Sequence, residues 1–103
     1  MEIKLLYFDG CPSHKKASEL LDEVLRERNL DVGVEKVNVT SEEMAVDEKF
    51  LGSPSIKING EDVDPVAKES TAYGRKCRIY KTDGGITGWP TKEMIINAIE
   101  EAA

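Results

Sequence analysis

The sequence has little of what marks several protein classes. Its 103 residues hold two cysteines, one histidine, one tryptophan and 6% aromatics. Long apolar runs are missing, and none approaches the roughly 20 residues of a bilayer-spanning helix, so a membrane is not an expected partner. Positive charge is also short: 14 Lys plus Arg against 20 Asp plus Glu leave a net charge of −6. Nucleic-acid binding relies on clustered cations that release counterions. The short runs Lys15-Lys16 and Arg75-Lys76 do not supply them, so nucleic acid is not expected either. The start, Met1-Glu2-Ile3-Lys4-Leu5-Leu6, lacks the basic, apolar and cleavage regions of a secretory signal, which makes the expected location cytoplasmic. There, two cysteines far apart in sequence read as free thiols, redox groups or metal ligands rather than as a disulfide framework. The length suits a single domain, 1–103.

What is present has a clear order. Residues 2–8 are apolar on both alternating faces apart from Lys4, as in a central strand covered on both sides. Asp9-Gly10 ends the run, and Pro12 suits the first turn of a helix, so a helix is expected to begin at Cys11. Its buried stripe is Ala17, Leu20, Leu21, Val24 and Leu25. A valine-rich strand is expected over 31–39, followed by a short helix to about Leu51, opened by the capping-box pair Thr40 and Glu43. Residues 55–58 alternate as a strand, and Asn59-Gly60 gives the type I′ turn into a partner strand over 61–64. Residues 65–76 read as loop with at most one helical turn. Cys77–Lys81 reads as a short strand ended by Asp83-Gly84-Gly85. A last helix opens at Pro90-Thr91 and buries Met94, Ile95, Ala98, Ile99 and Ala102. The order is strand, helix, strand, helix, hairpin, loop, helix, which predicts an α/β fold with a small mixed sheet and helices on both faces. Trp89 and Tyr7 read as packing residues.

Ligands of open α/β sheets gather at the carboxyl ends of the parallel strands. That end of the first strand carries Cys11-Pro12-Ser13-His14. A cysteine at a helix start is favoured as thiolate by the helix dipole and unpaired N–H groups, with pKa values of roughly 3.5–7.5 in such settings. His14, one turn on, would stabilise that thiolate as imidazolium, or serve as general base or metal ligand when neutral. The plainer readings are a buried Cys11 that behaves as a small hydrophobe and a His14 that is simply polar.

These residues resemble the thioredoxin-like superfamily, whose members carry Cys-x-x-Cys after the first core strand and a cis-proline facing the nucleophilic first sulfur. Pro54 stands 43 residues after Cys11, at matching spacing, and opens the strand that enters the hairpin. The sequence is also similar to small bacterial and archaeal thioredoxin-like proteins, apart from the stretch 65–88, which reads as an insertion or variant. The resemblance implies a thioredoxin-like fold with a central mixed sheet of four or five strands. It also implies a thiol-disulfide oxidoreductase in which Cys11 is the nucleophile and His14 tunes it. Pro54 would hold an incoming peptide or thiol in an extended pose, with Ser53 and Arg78 as candidate substrate contacts.

His14 occupies the place of the family's second cysteine. A disulfide within 11–14 is therefore impossible, and the expected mechanism is monothiol, with the mixed disulfide resolved by glutathione, another small thiol or Cys77. Cys77 also reads as a structural residue starting a strand, and Arg75, Lys76 and Arg78 as a solvated edge that would attract an anionic thiol if the loop covers the site. Expected partners are a small thiol or a disulfide-bearing protein, for a monomer or weak dimer; no cofactor is implied. Two other functions fit the same residues: soft-metal binding through Cys11, His14 and Cys77, and an adaptor that keeps the fold without activity.

Overall fold

Strand β1 (Ile3–Tyr7) has side chains that suit burial on both sides, and the chain is built around it. The structure, a computed structural model, describes residues 1–67 and 69–102; Lys68, inside the expected loop, and Ala103 lie outside the described residues. β1 pairs in parallel with β2 (Val34–Asn38) and antiparallel with β3 (Ser55–Ile58), which forms a hairpin with β4 (Glu61–Asp62). The sheet order is β2-β1-β3-β4. Helix α1 (His14–Glu27) connects the two parallel strands, and α2 (Glu42–Asp47) follows β2. A separate hairpin, β5 (Tyr80–Thr82) with β6 (Gly85–Thr87), precedes α3 (Lys92–Ala102).

The pleat of β1 divides the interior in two. Ile3 and Leu5 join Ile56 and Ile58 of β3, Ala17, Leu21, Val24 and Leu25 of α1, and Ile95 and Ile99 of α3 in one buried cluster. Leu6 points to the other face, where it meets Val39, Ala45 of α2 and Phe50. Helices thus cover both faces, and each fully buried aliphatic side chain contributes about 1.5–3 kcal/mol of transfer free energy.

Helix ends account for most boundary differences from expectation. α1 begins at His14 rather than at Cys11, because the chain first turns twice: the Cys11 N–H donates to the Phe8 carbonyl at 3.2 Å and the Lys15 N–H to the Pro12 carbonyl at 3.2 Å. At its other end Asn29 takes φ 54°, the Asn29 N–H meets the Arg26 carbonyl and the Leu30 N–H the Leu25 carbonyl, a Schellman motif. α2 stops at Asp47 by the same device, with Lys49 at φ 54° and the Phe50 N–H returning to the Ala45 carbonyl, so the expected extension to Leu51 does not form. The motif turns Phe50 into the core. Lys57 of β3 then reaches across and donates to the carbonyls of Glu48 and Lys49 at 2.9 and 3.0 Å; burial pushes its ammonium pKa down, opposed by Asp62 and Glu48.

The hairpin turn Asn59-Gly60 has positive φ at both residues, 52° and 83°, as a type I′ turn requires. β4 is shorter than the expected 61–64, since Asp64 turns back and accepts from the Val66 N–H at the start of a 3₁₀ turn, Pro65–Ala67. Thr91 caps α3, its hydroxyl accepting from the Met94 N–H at 3.0 Å.

α2 is capped by Ser41, whose hydroxyl accepts from the Met44 N–H at 3.0 Å, and not by Thr40. Ser41→Ala should therefore cost about 0.5–2 kcal/mol of stability, whereas Thr40→Ala should stay within about 0.5 kcal/mol. Urea denaturation of the two variants checks the assignment; equal losses would contradict it.

Candidate functional site

The carboxyl end of β1 delivers Cys11 into the turn that precedes α1, two residues ahead of the cap residue Ser13 and outside the first helical turn. Its residue surface is 2% exposed, and its thiol donates to the Ser53 carbonyl at 3.5 Å. Ser53 leads into β3 through a cis peptide bond to Pro54. The spacing noted in the sequence thus becomes proximity: Cys11 packs against the residue that precedes the cis-proline.

The stretch that read as an insertion closes over this place. Residues 76–78 lie extended beside Ser53, in a parallel bridge between Ser53 and Cys77. The Ser53 N–H donates to the Lys76 carbonyl at 2.7 Å, and the Arg78 N–H to the Ser53 carbonyl at 2.9 Å. Gly52 makes the approach possible. It has φ 120°, and a Cβ there would stand 3.0 Å from Arg78 Cβ and 3.1 Å from the Lys76 carbonyl oxygen. Ser53 thus stands between the two cysteines, bridged to Cys77 through the backbone and to Cys11 through the thiol; both are free thiols, Cys11 buried and Cys77 exposed. The neighbouring Cys11 thiol first, and burial second, push the Cys77 thiol pKa up.

A buried polar cluster holds the 76–78 segment. Expected at a solvated edge, Arg78 is instead 8% exposed, and its guanidinium grips the Asp62 carboxylate with two bonds of 2.6 and 2.8 Å. It also donates to Ser55 Oγ at 3.1 Å and lies 4.3 Å over the Tyr80 ring. Burial opposes the Arg78 charge, but the hydrogen bonds to Asp62 and the nearby acidic groups hold its pKa above the ordinary value. This guanidinium is engaged inside the protein and is not turned toward an anionic thiol. Tyr80, fully buried, donates from its hydroxyl to the Pro54 carbonyl at 2.5 Å, and burial raises its pKa. Arg75 fastens the near end, donating from Nε to the Val39 carbonyl at 3.0 Å.

The other expected site residues divide. Ser53 is fully buried and its hydroxyl has no hydrogen-bond partner, so neither its backbone nor its side chain faces solvent as a substrate contact. The His14 imidazole stacks on the Tyr7 ring, with centroids 4.4 Å apart at 30°, and among the described residues no hydrogen bond joins it to Cys11. Cys11, Ser53, Pro54 and Cys77 come together; His14 is oriented by Tyr7, and Arg78 works from behind. Among the described residues, no group of three or more His, Cys, Asp or Glu side chains is arranged to hold a metal ion. Sequence reasoning missed Asp62, Ser55 and Tyr80, whose only signal was polarity within short alternating strands.

The geometry defines a class: a small α/β protein with a mixed four-stranded sheet and two free cysteines, one buried and one exposed, that both meet Ser53. Over residues 12–99 the chain matches the family model described as a domain of unknown function (DUF2703), and it belongs to that family. No curated protein and no solved structure matches it. No helix among the described residues is long and apolar enough to cross a membrane.

Two outcomes test the site. Asp62→Ala removes the bidentate partner of the buried Arg78 charge and leaves it only the longer ion pair to Asp64 at 3.9 Å, and should cost up to about 3–5 kcal/mol in urea denaturation; a loss under about 1 kcal/mol would remove the pair from its anchoring role. Alkylation of Cys77 followed against pH should inflect above the value of an ordinary cysteine, because the raised pKa leaves less thiolate at neutral pH. Cys11→Ala should bring that inflection down, and an unchanged inflection would show that the two thiols do not interact.

Proposed function

We propose that the protein is a thiol-disulfide oxidoreductase of thioredoxin-like fold whose working pair is Cys11 and Cys77, cycling between dithiol and disulfide. The observation that carries this reading is the convergence of both cysteines on Ser53, Cys77 through the parallel backbone bridge and Cys11 through its thiol, 3.5 Å from the Ser53 carbonyl. The thioredoxin-like assignment is supported by the order strand, helix, strand, helix, hairpin, with Pro54 opening the strand that enters the hairpin. The backbone bridge at Ser53 brings Cys77 beside Cys11, so the protein carries its own resolving thiol although His14 stands where a second motif cysteine would be. This replaces resolution by an external thiol with an internal step.

In the forward direction the dithiol gives two electrons and two protons to a disulfide, leaving a Cys11–Cys77 disulfide and two released thiols; an excess of a small thiol reverses it. The substrate class is a disulfide-bearing protein or a small disulfide, with a small thiol as reductant. A cytoplasmic setting fits this cycle, because its thiol pool returns the pair to the reduced state. A net charge of −6 leaves nucleic acid outside the expected partners, and the protein acts as a monomer or weak dimer.

Turnover of hydroxyethyl disulfide with glutathione as reductant tests the pair. The protein should catalyse the exchange, with Cys11→Ala and Cys77→Ala each losing most of the rate. Full turnover in Cys77→Ala would mean that Cys11 works alone with an outside thiol, and an inactive wild type would end the reading.

A further inference from the structure

Resting on the exchange reading above, we propose that the incoming disulfide is met by Cys77, and that Cys11 is the inner thiol which closes the internal disulfide. The resemblance to thioredoxin-like proteins gives the opposite order, with Cys11 attacking first and the edge beside Pro54 receiving an extended peptide. In this chain that edge is taken. The N–H of Ser53 is bound to Lys76 and its carbonyl accepts from both Arg78 and Cys11, so an added strand finds no free backbone group there. The chain's own residues 76–78 lie where the incoming peptide was expected, and Cys77 lies where its cysteine would meet Cys11.

Two observations make this segment a fixed part of the site and not a displaceable cover. Arg78 points inward and is held by Asp62 and Ser55, while the fit against Gly52 leaves no room for slack. Burial then alternates along the segment, with Arg78 and Tyr80 inside, and Cys77 and Ile79 outside, as an extended chain on a protein surface requires. Attack on a disulfide depends on access to the attacking sulfur. Cys11 is 2% exposed beneath this segment, and Cys77 is exposed above it.

The steps balance. Cys77 loses its proton to solvent and its sulfur attacks one sulfur of R–S–S–R; the Cys77–S–S–R bond forms, and RS⁻ leaves and takes up a proton. Cys11 then loses its proton and attacks the Cys77 sulfur, forming the Cys11–Cys77 disulfide as the second RS⁻ leaves and is protonated. Two protein thiols are oxidised and one external disulfide is reduced to two thiols.

Glutathione disulfide and intact-mass spectrometry of the folded protein at mildly alkaline pH separate the two orders. Cys11→Ala should accumulate one glutathionyl adduct on Cys77, and Cys77→Ala should react at least about tenfold more slowly. Wild type should pass on to the internal disulfide without a lasting adduct. Cys11→Ser serves as a second variant, and circular dichroism together with full reaction of the remaining cysteine in guanidinium separates a buried thiol from a misfolded chain. Adduct formation on Cys11 in Cys77→Ala at a rate equal to or above that of Cys77 in Cys11→Ala would overturn the order of attack while leaving the exchange reading intact. A wild type that forms neither adduct nor internal disulfide would overturn both.

Discussion

The ion pair between Arg78 and Asp62 is the contact on which the site depends. Both side chains are nearly buried, and taking two charges out of water costs several kcal/mol per ion before their attraction and hydrogen bonds offset it. Such a pair adds little net stability over an apolar substitute. Its value lies in being specific, because a bidentate guanidinium–carboxylate contact fixes position and angle together. Here it joins β4 to the segment that precedes β5, and the same guanidinium spans Ser55 and the Tyr80 ring. Tyr80 in turn holds the Pro54 carbonyl. Removing the pair would take away the side-chain anchor of the Cys77 segment on β4 and leave its backbone bridge to Ser53 without that support.

The position of Cys77 follows from that fastening. The parallel bridge to Ser53 needs the backbone at 76–78 to be extended and in register, and Arg78 sets the register from one side while Arg75 sets it from the other. In a Cys-x-x-Cys motif both sulfurs come from one turn. In this chain one comes from the turn after β1 and the other from a segment 66 residues later, brought together through the residue before Pro54. The second thiol is consequently held by tertiary contacts and not by a helix. Its reactivity is tied to the stability of the polar cluster behind it.

Much of the frame was legible in the sequence. β1 was marked by apolar residues on both faces, α1 and α3 by their stripes, and the β3–β4 turn by Asn59-Gly60, since each of these signals is local and periodic. Cys11 at the end of β1 and Pro54 at the start of β3 were legible for the same reason, as they sit at element ends. The capping-box spacing from Thr40 to Glu43 pointed to the wrong hydroxyl, because its neighbour Ser41 is the one that meets the Met44 N–H. β6 was hidden because Gly-Ile-Thr is too short to show alternation. Arg78 misled for a deeper reason: between Lys76 and Lys81 it reads as one more surface cation, and its partner Asp62 lies 16 residues away in β4. Side-chain pairing over that distance has no periodicity, so neither the burial of Arg78 nor the approach of Cys77 to Cys11 could be read before the fold was known.

The central claim is that the Arg78–Asp62 pair places Cys77 on Cys11. The most direct measurement is the equilibrium between the Cys11–Cys77 disulfide and glutathione, followed by thiol quantification in redox buffers, for wild type and for Asp62→Ala under conditions where both are folded. The account predicts a well-populated internal disulfide in wild type and a much smaller equilibrium constant in the variant, because the two thiols lose their fixed proximity. Equal constants in the two proteins, or no internal disulfide in wild type even in oxidised glutathione, would contradict it.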